Sequence, residues 1–398
     1  MDKKSTPEEQ LAKGLLKLQA DSEFSEKYSQ IALDFIRSYA RALEDSGVEF
    51  APVVPIFLKF FKFVLEQLRS PHSFEPYHQK VRAPIDYYQF SLDFIRPLID
   101  IPHSKVLGLE FLDLATAQIA KGENVVFLSN HQTEADPQAI AILLGKTHPR
   151  LAEQMIYVAG ERVVTDPLAI PFSLGTDLLC IYSKRYIDQP PELKAKKQLH
   201  NKNTMELMSR LLKEGGKAIY VAPSGGRDRK NGEGHIIPAP FDPNSVEMFY
   251  LMAKKAKTPT HFYPLALDTY DLLPPPETIQ IELGETRIAK RTSIRFAFGP
   301  ECDMERGSCK TPPPRKTDDF DVHCKSRPAG SFCSGENILR GEGEPEQMRW
   351  AAKGRFSCGG EFCNCLESST GETKEERRKS KAERIWKTVC KLYSKLRP

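Results

Sequence analysis

The sequence predicts an α/β protein: a helical bundle at the N-terminus, then a larger α/β domain with a mixed, largely parallel sheet flanked by helices. Three observations predict it. Apolar residues recur at helical spacing through residues 1–85. From residue 86 short β-rich runs alternate with helical stretches, as strands joined by crossover helices do. The composition is globular, with 40% hydrophobic and 28% charged residues among 398, which is length enough for a sizeable core.

In the first segment, Leu11, Leu15, Leu16 and Leu18 form one apolar stripe. Ile31, Leu33, Phe35, Ile36 and Leu43 form a second, and Ile56, Phe57, Phe60, Val64 and Leu68 a third, backed by Lys59, Lys62 and Glu66. Across residues 86–305 the spacing predicts strands over Asn124–Leu128, Met155–Ala159, Leu178–Tyr182, Lys217–Val221 and Phe262–Leu267. Helices are expected over Pro137–Leu144 and Pro191–Lys213. Residues 306–372 are rich in Gly, Ser, Pro, Cys and charge without either period, and read as a disordered insertion. A retained intron or mispredicted exon would account for so abrupt a break. A closing helix over 373–398 carries Ile385, Trp386, Val389, Leu392, Tyr393 and Leu396 at helical spacing.

Several function classes are disfavoured. A net charge of +4 is too small for a dedicated nucleic-acid binder. Met1–Gln10 is polar, with no apolar targeting segment. The most apolar stretch, Phe50–Leu68, is broken by Pro52, Pro55, Lys59 and Lys62, so a soluble protein with at most peripheral membrane contact is expected. Seven of the nine cysteines lie between Cys302 and Cys365. Among them Cys333, Cys358, Cys363 and Cys365 lack the paired C-x2-C knuckles of a zinc site, so no metal is expected. Cys180 lies inside an apolar strand and reads as core.

Three polar turns carry the chemistry, each at the carboxyl end of an expected strand, where ligand sites of α/β domains collect. The first contains His131 and Asp136. Five residues apart, they would not share a helix face, but a strand-to-helix turn can fold the carboxylate back onto the imidazole. Asp136 would then fix the ring's tautomer and leave the other nitrogen as a general base. The blander alternative is that Asp136 caps the helix before Pro137 and His131 is a loop residue. The second turn, Ala222-Pro-Ser-Gly-Gly-Arg-Asp-Arg229, places Arg227 and Arg229 beside a glycine turn, where two guanidinium groups can chelate a phosphate or carboxylate. Alternatively they are solvated or paired with Asp228. The third, Tyr182-Ser-Lys-Arg-Tyr186, adds Lys184 and Arg185, which are otherwise simply solvated. Together the turns bring a possible base and up to four cations toward one edge. That suits an enzyme that holds an anionic alcohol and deprotonates its hydroxyl.

The chain resembles the soluble glycerol-3-phosphate 1-acyltransferases of plastids and related bacteria. The resemblance lies in Pro76-Tyr-His, Asp86-Tyr-Tyr, Ile95-Arg-Pro-Leu-Ile-Asp100, Ser129-Asn-His-Gln-Thr-Glu-Ala-Asp-Pro137, Val158-Ala-Gly, Thr165-Asp-Pro-Leu168, Ala222 to Arg229, Pro238-Ala-Pro-Phe-Asp242 and Leu272-Leu-Pro-Pro-Pro276. It implies transfer of a fatty acyl chain from acyl carrier protein or a coenzyme A thioester to the sn-1 hydroxyl of glycerol 3-phosphate, without a further cofactor. It implies His131 as general base, Asp136 as its orienter, and Arg227 and Arg229 as phosphate ligands. The family usually has a Lys-His pair where this chain has Arg185 and Tyr186. Arg185 keeps the cation, Tyr186 loses an imidazole, and Lys184 can supplement the site. The resemblance also implies the plastid stroma, although no transit peptide is visible, with the cytoplasm as the alternative. Rival readings are a lysophosphatidate acyltransferase, or an inactive or metal-binding variant acting through the cysteine-rich segment.

Overall fold

Helices α1 (Pro7–Ala20), α2 (Glu26–Glu44) and α3 (Val54–Arg69) form where the apolar spacing places them. The Ser25 hydroxyl caps α2 by accepting from the amide of Tyr28 at 3.3 Å, satisfying one of the first-turn donors. The stripe of α1 is narrower than expected. Leu11 and Leu15, one turn apart, are buried, whereas Leu16 points away and is 51% exposed. Phe57 of α3 meets Tyr39 of α2 edge-on, with ring centroids 5.1 Å apart. It also lies 5.0 Å from Phe94, on helix α4 (Tyr87–Ile95). The Tyr39 hydroxyl donates to the Phe94 carbonyl at 2.7 Å, so the polar tip of a fully buried ring is satisfied. The N-terminal helices therefore share a core with α4 rather than forming a separate body.

The computed structural model describes residues 6–20, 24–183, 187–276, 284–305, 308–309 and 373–397. The described residues fall in one compact unit, which takes in residues 1–311 and 378–398, apart from the first residues of the closing helical segment, 373–377. The expected insertion, with Cys333, Cys358, Cys363 and Cys365, lies outside the described residues apart from Ser308–Cys309.

Among the described residues eight strands build one sheet: β1 (Tyr77–His78), β2 (Lys105–Leu107), β3 (Asn124–Ser129), β4 (Ile156–Gly160), β5 (Asp177–Ile181), β6 (Ala218–Val221), β7 (Thr260–Asp268) and β8 (Arg295–Phe298). Their spatial order is β1-β5-β4-β6-β3-β7-β8-β2. The run from β5 to β7 is parallel. The antiparallel pairs are β1 with β5 and β7 with β8, so the sheet is mixed and largely parallel, as expected. The strand β7 extends beyond the expected Phe262–Leu267 because it pairs with β3 along residues 260–265 and with β8 along 265–268.

Between the strands lie α5 (Leu109–Ala120), α6 (Asp136–Leu144), α7 (Pro149–Gln154), α8 (Ile170–Ser173), α9 (Lys194–Glu214) and α10 (Pro243–Ala256), with α11 (Lys374–Ser394) closing the chain. Every residue of β3 is buried, which identifies it as a strand covered on both faces. Its alternation divides the interior in two. Val125 and Phe127 pack with the N-terminal helices, α4 and α6. Val126 and Leu128 pack with α9, α10, and Ile385, Val389 and Tyr393 of α11. None of the described helices is long and apolar enough to cross a membrane.

At the start of β7, His261 sits between two carboxylates, Glu301 on Nδ1 and Glu123 on Nε2, each at 3.0 Å. The hydrogen bond to Glu301 raises its pKa, outweighing burial, with the charges of both glutamates adding. A raised folded pKa stabilises the fold fully below the unfolded value of about 6.5. That contribution is lost as pH rises through the folded value. Wild type should therefore lose more thermal stability between about pH 6 and 8 than His261→Gln. Parallel melting curves for the two proteins across that range would count against this arrangement.

Candidate active site

Strand β3 ends at Ser129 without leaving its neighbour β7 unpaired. The side chain of Asn130 takes over the ladder: its Oδ1 accepts from the amide of Leu267 at 2.8 Å and its Nδ2 donates to the Leu267 carbonyl at 3.0 Å. Gln132 does the same one step on, its Oε1 accepting from the amides of Thr269 at 2.7 Å and Tyr270 at 3.0 Å. Both side chains are fully buried, where an unpaired donor would be costly. They fix the turn that carries His131 between them.

That turn folds Asp136 back. Its Oδ2 accepts from His131 Nδ1 at 2.8 Å and from the amide of Gln132 at 2.9 Å, while Oδ1 accepts from the Thr269 hydroxyl at 2.6 Å. Asp136 is fully buried at the first position of α6. Its carboxylate thus serves the residues before it rather than the helix amides after it, and the capping alternative does not describe it. Because a carboxylate accepts, Nδ1 carries the proton in the neutral His131 ring, whose Nε2 then presents its lone pair. The His131 side chain is 30% exposed, and Nε2 has no hydrogen-bond partner among the described residues.

After β6 the glycine turn uses Gly225 at φ 70°, a backbone region open to glycine. Beyond it the side chains alternate. Asp228 points inward and is fully buried, its Oδ2 accepting from Asn130 at 2.9 Å and its Oδ1 from the amide of Ala239 at 2.8 Å. Burial pushes its carboxyl pKa up, partly offset by these hydrogen bonds. Asp228 therefore anchors the loop and does not pair with its flanking arginines. Its amide donates to the His131 carbonyl at 2.6 Å. One backbone hydrogen bond thus ties the His131 turn to the turn that carries Arg227 and Arg229.

The arginines are held differently. Arg227 Nη2 donates to both oxygens of Glu285, at 2.5 and 2.8 Å. Arg229 Nη1 donates to the Arg227 carbonyl at 3.1 Å, and its buried Nε has no hydrogen-bond partner among the described residues. Burial, then the charge of Arg227, lowers the Arg229 pKa. This is a guanidinium that an anion would stabilise. Behind them, Arg287 chelates Glu134 through Nε and Nη2 and reaches Asp166 at 3.1 Å. Burial alone would raise the Glu134 carboxyl; the charge and hydrogen bonds of Arg287, with lesser help from Arg227 and His131, hold it below its usual value. Lys184, Arg185 and Tyr186 lie outside the described residues. The strand before them is fastened to α9, with Asn201 accepting from the Tyr182 amide at 2.7 Å and donating to its carbonyl at 2.9 Å.

Sequence reasoning missed much of this supporting shell. Gln132 and Glu134 stand inside the His131–Asp136 string, and Asp166 inside Thr165-Asp-Pro-Leu168, so a signal was there. Thr269, Arg162, Glu285 and Arg287 carry no local motif. Tyr393, 261 positions from Gln132, belongs to no local motif either, yet its hydroxyl accepts from Gln132 Nε2 at 3.1 Å.

Residues 113–268, which span the His131 and Asp228 turns, match the family model described as Acyltransferase. Over 243 residues the chain is 42% identical to a chloroplastic glycerol-3-phosphate acyltransferase of Cucurbita moschata, covering 61% of this chain and 54% of that one. The chain is similar to plastid-type glycerol-3-phosphate acyltransferases. The corresponding protein of Spinacia oleracea is 40% identical over 266 residues, 66% of this chain and 56% of that one. That of Arabidopsis thaliana is 39% identical over 280 residues, 69% of this chain and 61% of that one. The chain thus spans little more than half the length of the curated relatives it matches.

Proposed function

We propose that the chain transfers a fatty acyl group from acyl carrier protein or coenzyme A to the sn-1 hydroxyl of glycerol 3-phosphate, giving lysophosphatidate. The observation that carries this reading is the 2.6 Å hydrogen bond from the Asp228 amide to the His131 carbonyl. It puts a polarised imidazole and two guanidinium groups on backbone that touches, although the residues are about a hundred positions apart. A small molecule with a phosphate at one end and a hydroxyl at the other matches that pairing of cations with a base. The similarity to chloroplastic relatives supports the same acceptor and a plastid location.

In the proposed mechanism Arg227 and Arg229 bind the phosphate, with Lys184 and Arg185 as additional cations. His131 Nε2 takes the hydroxyl proton as the oxygen attacks the thioester carbonyl. Asp136 holds the ring and stabilises the imidazolium that forms. The new C–O bond forms, the C–S bond breaks, and the thiolate leaves with the proton from His131. No resident cofactor is needed, because atoms and charge balance between the two substrates. No acyl-enzyme is needed either. Cys180 is buried, and burial pushes its thiol up to about 12, far from a reactive thiolate.

An assay crossing both thioester donors with glycerol 3-phosphate and lysophosphatidate tests the reading. Transfer to glycerol 3-phosphate is expected to dominate; preference for lysophosphatidate, or transfer to neither, would overturn it. Arg227→Ala should raise the acceptor KM by about 10- to 100-fold with a smaller change in kcat, the scale of a lost charge-assisted hydrogen bond. An unchanged acceptor KM would remove Arg227 from the site.

A further inference from the structure

Glu285 is the unusual member of the site. A carboxylate stands where an anionic acceptor would need donors, 10% exposed, between two guanidinium groups. Its Oε2 accepts from Arg227 Nη2 at 2.8 Å and from Arg162 Nη1 at 3.0 Å, while Oε1 also accepts from Arg227. Arg162 enters from the turn after β4, so the pair ties that turn to the segment between β7 and β8. It is 38% exposed, which leaves part of its guanidinium open to solvent. The neighbouring anions are engaged elsewhere. Glu134 and Asp166 share Arg287, and Asp166 Oδ1 also accepts from the amide of Leu168 at 3.0 Å.

Arg162, Arg227 and Arg229 bring three positive charges to one side of the site, and Glu285 is the one carboxylate within ion-pair distance of any of them among the described residues. A phosphate dianion presents the same chemistry as Glu285 in stronger form: paired oxygens that suit bidentate guanidinium contacts, and about twice the charge. Arg227 cannot direct the same Nη2 hydrogens at a carboxylate and a phosphate together.

We infer that Glu285 is a built-in competitor for the phosphate of the acceptor, and that Arg162, released with Arg227, is a further phosphate ligand. The inference rests on the acceptor proposed above and extends it. Glu285 keeps two partly buried cations paired when no phosphate holds them, since unpaired buried charges are destabilising. The cost is affinity: a phosphate that takes the Nη2 hydrogens of Arg227 must displace the carboxylate. Glu285 thereby raises the acceptor dissociation constant and sets a threshold concentration for the reaction.

The test is calorimetric titration of the full chain with inorganic phosphate and with glycerol 3-phosphate, for wild type, Glu285→Gln and Arg162→Gln. Glu285→Gln keeps the volume and removes the charge. It should bind both ligands about tenfold more tightly than wild type, and phosphate should raise its melting temperature by more. Arg162→Gln should bind both about tenfold more weakly. Equal or weaker phosphate binding by Glu285→Gln would overturn the competition and make Glu285 a positioning residue for Arg227. Should Glu285→Gln fold poorly, Glu285→Asp, which shortens the reach of the carboxylate, gives the same sign of change, and unaltered affinity there would be equally contrary. Phosphate binding is read without acyl transfer. If these shifts appear while neither thioester reacts, the anion site stands and the proposed reaction falls.

Discussion

Substitution of His131 by alanine is expected to lower kcat by at least about 10²-fold while leaving the acceptor KM within a few-fold of wild type. The magnitude is the usual contribution of a positioned general base. The split between the two constants follows from the geometry. The ring is tied to Asp136 at Nδ1 and offers Nε2 outward, whereas the guanidinium groups that would hold the acceptor lie on the turn after β6. The His131 carbonyl that accepts from Asp228 is main chain and survives the substitution, so the loop carrying Arg227 and Arg229 keeps its anchor. Steady-state kinetics with a melting curve of the variant checks this. Turnover within tenfold of wild type, in a folded variant, would remove His131 from the chemistry.

The second large effect is expected for Asp136→Asn. The two oxygens of Asp136 accept from His131 Nδ1, the Gln132 amide and the Thr269 hydroxyl, and the residue is fully buried. An asparagine fits the space but turns one oxygen into an NH2 group, a donor facing donors. If the amide oxygen keeps the backbone contact, the NH2 group faces Thr269, whose hydroxyl must reverse. If it keeps Thr269, the NH2 group meets the imidazole and favours the tautomer with its proton on Nε2, useless as a base. A fall in kcat of about 10²- to 10⁴-fold is expected, with a stability loss of about 1–3 kcal/mol from the unsatisfied buried group. The two readouts separate roles. If kcat stays within tenfold while the melting temperature falls, Asp136 is a structural carboxylate alone.

The fold was legible where periodicity is strong. The central strand β3 reads as an unbroken apolar run because both its faces are covered, and α11 reads through Ile385, Val389 and Tyr393, which are buried together. Strands β1 and β2 were not legible: two and three residues long at the sheet's edges, they are too short to show alternation. The exposure of Leu16 was hidden for a related reason, since adjacent leucines on a helix point about 100° apart and the sequence does not say which one meets α2. In the site, the proposed catalytic and phosphate-binding residues stood in contiguous strings, as did Gln132, Glu134, Asp166 and Asp228, whereas Thr269, Arg162, Glu285 and Arg287 did not. Asp228 looked like an ion-pair partner for its neighbours, but alternation along extended backbone turns it inward to Asn130. Glu285 and Arg162, 123 positions apart, meet only because the segment between β7 and β8 folds against the turn after β4.

The most direct test of the central claim is a crystal structure with glycerol 3-phosphate bound. Its phosphate is expected on Arg227 and Arg229 and its sn-1 hydroxyl within about 2.6–3.2 Å of His131 Nε2, the reach of a general base. A phosphate bound away from both arginines, or a hydroxyl that no rotation of the bound molecule brings to His131, would contradict it.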